Sequence, residues 1–160
     1  MSEHRSCGPC TACCEGWLSS TIIDMSIGHP CRHCTPAGCG IYARRPRKPC
    51  RTFECGWLRR DSPLPLELRP DRCGAIVLLG RKFQDWDVIM ATPTGWVIPA
   101  ETLESLMLVS RQQSLPLVWI ENLHDNGVYT HFKRSAFGPA AFVRAITSNA
   151  NPLDIRSISS

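Results

Sequence analysis

The sequence predicts an α+β protein in two parts. Residues 1–60 read as a loop-rich, cysteine-ligated metal module, and residues 73–160 as a small antiparallel sheet with one or two helices packed on it. The polar stretch at 61–72 reads as the linker. Three observations carry this. All ten cysteines lie at or before Cys73. Thirteen prolines and eleven glycines in 160 residues require many turns. After Cys73, short apolar runs alternate with a helical pattern, and 43% hydrophobic residues suffice for a core.

AIVLLG (75–80) and DVIMATP (87–93) are apolar runs of strand length separated by GRKFQDW, which suggests an antiparallel pair. AETLESLMLVSRQQ (100–113) places Leu103, Leu106 and Met107 at helical spacing. Glu101 and Glu104 stand in its first turns, where the macrodipole favours acids. LPLVWIEN and GVYTHFK read as strands joined at His124 to Gly127, where Asn126-Gly127 is a hairpin signal. PAAFVRAIT (139–147) reads as a closing helix.

The leader MSEHRS has no apolar run, and no segment approaches the ~18 unbroken apolar residues of a membrane span. The chain is therefore expected to be soluble and cytoplasmic. Thiols stay reduced in that compartment, so the cysteines are better explained as metal ligands than as a disulfide framework.

CGPCTACC (7–14) supplies Cys7, Cys10, Cys13 and Cys14, CRHCTPAGC (31–39) supplies Cys31, Cys34 and Cys39, and CRTFEC (50–55) supplies Cys50 and Cys55. A structural zinc takes four ligands, as does a cubane iron–sulfur cluster, so these nine thiols support two sites with one spare. Spacing does not choose between zinc and iron. Adjacent residues point apart, so Cys14 is expected to serve a neighbouring metal, or bridge two, rather than close the site of Cys13. His33 is a candidate extra ligand, His29 a weaker one. Cys73 precedes an apolar run and reads as a small buried side chain. Tyr42 and Phe53 are expected to pack across the loops, and Trp57 to anchor the module on the second part.

CxxCxxCC, then CRHCTPAGCGIYARRPRKPCRTFECGWL, then RPDRCGAIVLL, together spanning about residues 7–80, resemble the YkgJ-like cysteine-cluster family, described as a zinc- or iron-chelating domain. The resemblance implies metal chelation through Cys7, Cys10, Cys13, Cys14, Cys31, Cys39 and Cys50. Cys34 and Cys55 match members with the longer pattern.

From Cys31 to Arg72, ten Lys or Arg face four acids, while the stretch from Cys73 onward is neutral. The run RRPRK (44–48) invites a nucleic-acid reading. However, two four-thiolate zinc sites would carry −4, and nearby arginines stabilise such charge. Compensation is the favoured reading, with a zinc-stabilised RNA-binding module as an alternative. No nucleophile elbow, phosphate loop, HExxH or dinucleotide fingerprint occurs. CGPC matches a thioredoxin-type CxxC without the strand before it or the helix after it. The expectation is a non-catalytic protein chelating zinc or iron, with an iron–sulfur redox or accessory protein as the other reading.

Overall fold

The computed structural model describes residues 5–148, Arg156 and Ile158. The start of the leader and, apart from Arg156 and Ile158, the stretch from 149 to the polar end lie outside the described residues. The chain is α+β. A two-residue hairpin, β1 (Cys34–Thr35) with β2 (Gly38–Cys39), stands among irregular loops and short tight turns at Ala12–Cys14, Tyr42–Arg44 and Leu66–Leu68. After α1 (Pro70–Cys73) comes a four-stranded sheet of β3 (Ala75–Phe83), β4 (Trp86–Pro93), β5 (Leu117–Asp125) and β6 (Val128–Phe137), paired in that order. α2 (Ala100–Gln113) connects β4 to β5, and α3 (Ala140–Ser148) follows β6.

The sheet is mixed rather than purely antiparallel. β3–β4 and β5–β6 are antiparallel hairpins, but β4 and β5 run parallel. The cause lies in the connection: a full helix between the strands carries the chain back to the starting end, whereas a tight turn would have reversed it. α2 occupies the residues its periodicity predicts. β3 runs on past Gly80, through an irregularity between Leu78 and Arg81 where Gly80 adopts φ +67°. At the β5–β6 turn both Asn126 and Gly127 have positive φ, the conformation that suits the twist of a tight hairpin.

Period-two alternation explains the apolar density of the strands, because both faces of the sheet are covered. Ile76, Leu78, Val88, Met90, Val118 and Ile120 face one core, shared with Phe142 and Ile146 of α3 and with Ala12, Leu18, Met25 and Cys31 of the cysteine-rich segment. Ala75, Val77, Ile89, Ala91 and Leu117 face the other, against Leu106 and Val109 of α2. Trp57 joins that second core, as the anchor expected of it, and its Nε1 donates to Leu66 O at 3.2 Å. The stretch expected as a linker also contributes there. Leu64 and Leu68 are fully buried, and Arg69 holds Asp71 through a two-pronged ion pair.

The chain changes faces at residues 53–58, along the outer edge of β3. Gly56 N–H donates to Val77 O at 2.6 Å, covering part of that edge. A Cβ at Gly56 would lie 2.8 Å from Leu79 Cγ and 2.9 Å from Val77 O, so the crossing needs glycine. Ser19 pairs its N–H and C=O with Arg156 O and Ile158 N.

Candidate functional site

The cysteines occupy the loops that cover the first core. The tight turn at Ala12–Cys14 follows Cys7 and Cys10, and Cys10 N–H donates to Cys7 O at 2.9 Å. A second segment is tied to this turn where Cys31 N–H donates to Cys14 O at 3.0 Å. Gly16 makes the approach close. Its φ is +89°, and a Cβ there would lie 2.8 Å from the backbone of His29 and Pro30. Cys31 N–H fixes the register, and Cys31 O in turn accepts from Cys34 N–H at 2.9 Å. Cys34 stands directly across from Cys39 in the β1–β2 hairpin. Cys50 lies in the irregular turn at Arg47–Arg51, and Cys55 sits at the crossing, packed against both cores.

The sulfurs interact. The Cys14 thiol donates to Thr11 O at 3.1 Å, and both Cys13 and Cys34 lie close enough to act on its ionisation. This corrects the expectation that Cys14 points away from Cys13. In a turn with three residues per revolution, neighbouring side chains splay by about 120°, less than in a strand, and the thiol folds back towards the carbonyl three residues earlier. Cys14 has its pKa pushed up, first by its interaction with Cys13 and then by burial. Cys13 is held below the ordinary thiol range by the same interaction, against the cost of burial, with the positive charge of Arg45 assisting.

Cys13 is also the charge the other thiols feel. Cys7 is raised by desolvation and then by Cys13, and Cys50 by burial, then Cys31, Cys13 and Cys39. Burial pushes Cys55 up to about 11, with Cys13 and Cys7 adding to it. Cys10 is raised by desolvation and opposed by the N–H groups of Ala12 and Asp71, which ties it to α1. Thiols from all three cysteine groups therefore share one electrostatic neighbourhood.

Within the basic run, Arg45 is the residue whose charge lowers Cys7, Cys13 and Cys50. Its guanidinium sits 3.8 Å over the Tyr42 ring and donates to Tyr42 O at 2.9 Å. Tyr42 is 59% exposed, so it does not pack across the loops as expected, whereas Phe53 packs against the first core. Nothing in the local sequence distinguishes Arg45 from Arg44 or Arg47; only the fold selects it. Cys73 is buried as expected, its thiol 3.4 Å from both Leu68 O and Ala75 O.

His33 is half-buried beside Cys34, its carbonyl accepting from Gly40 N–H at 2.8 Å, and His29 is exposed. Among the described residues, no three Cys, His, Asp or Glu donors stand at metal-holding geometry. All ten cysteines are free thiols. The donor chemistry, soft sulfurs clustered beside an arginine, suits zinc or iron. No helix of the described residues is long and apolar enough to cross a membrane. No family model, curated protein or solved structure matches the chain.

Proposed function

We propose that this protein binds zinc or iron through its clustered cysteines, without catalysing a reaction, in the reducing environment of the cytoplasm. One observation supports the reading: Cys13 and Cys34, the latter from a segment twenty residues further along the chain, both act on the Cys14 thiol. Gathering half-buried free thiols near an arginine has no obvious value for packing alone. It prepares thiolate ligands, because a metal needs them deprotonated and their combined negative charge needs a cation nearby.

The residues that would hold metal are Cys7, Cys10, Cys13, Cys14, Cys31, Cys34, Cys39, Cys50 and Cys55, with His33 as a further donor. Bound zinc would supply a cross-link between loops that have little regular structure of their own. The chain's part is to bring the sulfurs within reach, to keep Cys13 ionisable through Cys14 and Arg45, and to exclude water through Leu18, Met25 and Phe53 beneath them. The reading agrees with what the resemblance to the YkgJ-like family implies.

The test is metal analysis with a visible spectrum on protein purified without oxygen. About two zinc ions per chain in a colourless protein are expected for four-ligand sites. A brown protein that bleaches on reduction assigns the same cysteines to iron–sulfur clusters and to the redox or accessory role. Less than about half a metal atom per chain, against the four-ligand expectation, overturns the proposal.

A further inference from the structure

We propose that the arginine-lined cleft beside the cysteine cluster binds single-stranded nucleic acid. Cys7 and Cys50 also line it, but the nucleic-acid reading rests on its arginines and on Tyr42 rather than on bound metal. The cleft has a volume of about 1290 Å³ and carries Arg5, Arg45, Arg51, Arg59 and Arg60 on its walls. A second hollow of about 460 Å³ adjoins it, sharing Thr52, Phe53, Glu54, Arg59 and Arg60 and adding Lys48 and Arg81. Small-molecule pockets run to roughly 300–1000 Å³, so the combined groove suits a longer ligand. Seven cations line it against the two acids Glu54 and Asp61.

Three of these arginines are held in ways that orient them without cancelling their charge. Arg5 donates to Trp57 O and Leu64 O at 2.9 and 2.8 Å. Arg51 donates to Arg45 O and Ala43 O, both at 3.1 Å, and Arg45 to Tyr42 O. Carbonyls are neutral, and each guanidinium has five N–H donors, so donors remain for phosphate oxygens. Arg59 pairs with Asp61, whereas Arg60 has no carboxylate partner among the described residues. The charge is spread along the groove rather than focused on one point, which matches a chain of phosphates better than a single one.

Tyr42 supplies the second component. It is the most exposed aromatic ring of the cleft wall, backed on one side by the Arg45 guanidinium, and Phe53 lines the same wall. An exposed ring beside arginines is the arrangement on which unpaired bases stack, and it tolerates any base. A duplex offers no free base face to Tyr42, so single strands are favoured.

The experiment is fluorescence anisotropy of a labelled twelve-nucleotide RNA and its DNA counterpart with the full chain, at 50 and 200 mM salt. Four neutralised phosphates would lower the affinity on the order of 50-fold between those salts. Arg60→Gln is expected to weaken binding about fivefold and flatten the salt slope by roughly 0.7, the contribution of one phosphate on a single strand. Tyr42→Ala is expected to weaken it about fivefold or more, the loss of one stacked base. Both side chains are exposed, so circular dichroism should show an unchanged fold. Arg144→Gln, on α3 outside the cleft, should leave binding unaltered. Absence of binding at 50 mM salt, or equal weakening by Arg144→Gln, overturns the proposal. Displacement by ATP or inorganic phosphate at matched phosphate concentration also overturns it and assigns the cleft to a small phosphate ligand. Metal content measured on the same samples keeps this result separate from the metal reading.

Discussion

Cys34 and Cys39 face each other across the β1–β2 pair. Because Gly40 N–H bonds to His33 O at 2.8 Å, the pair one step further in is of the non-hydrogen-bonded kind, in which side chains approach most closely. Two thiols so placed can be joined by metal or by oxidation, and the two should compete. Metal-free protein treated with a mild thiol oxidant is expected to show a Cys34–Cys39 link by peptide mass spectrometry, and zinc-loaded protein to lack it. The same link in both samples would place these two cysteines outside any metal site.

Arg45 should matter to metal retention more than its neighbours do. Arg45→Gln removes the charge that lowers Cys7, Cys13 and Cys50, and is expected to raise the zinc dissociation constant roughly tenfold, as loss of a supporting group around a metal site does. Arg44→Gln should change it little. Competition with a chromophoric chelator measures both, and equal effects would mean that the run acts only through its overall charge.

Leu18 couples the cysteine loops to the sheet. It is 0% exposed and shares the first core with Ile76, Met90 and Phe142. Leu18→Ala is expected to cost about 2–5 kcal/mol, typical of a leucine cavity. Urea unfolding followed by tryptophan fluorescence would read it. A loss below about 1 kcal/mol would show that the loops rest on the sheet without sharing its stability.

The Arg69–Asp71 pair predicts a pH dependence. Its hydrogen bonds to Arg69 hold the Asp71 carboxyl below its usual range, so the folded state binds that proton less tightly than the unfolded state does. The stabilisation is fully present above the ordinary carboxylate range and is lost as pH falls through the lower folded value. Asp71→Asn should therefore lower the urea midpoint at pH 7 and leave it nearly unchanged at pH 2. A deficit of equal size at both pH values would assign the effect to packing instead.

What the sequence made legible were features encoded locally. The helix at Ala100–Gln113 follows from its own apolar spacing, and the turn at Asn126-Gly127 from its own backbone preferences. The grouping of nine cysteines in three short segments was visible in residue type and density. What stayed hidden depends on partners distant in the chain. The parallel β4–β5 pairing requires knowing where α2 delivers the chain, and the burial of Leu64 and Leu68 depends on Trp57 and α2 nearby. Cys14 meeting Cys34 depends on a backbone bond from Cys31, and Arg45 differs from Arg44 only once the loop is closed around the thiols.

The pairing of Ser19 with Arg156 and Ile158 has a consequence for the order of assembly. It closes a loop that spans nearly the whole chain, and contacts of such long range form slowly, after the ordering entropy of everything between has been met. The residues beside the first cysteine group are therefore expected to gain this tie only after the sheet between has formed. Until then the loops that carry these thiols lack their link to the far end of the fold.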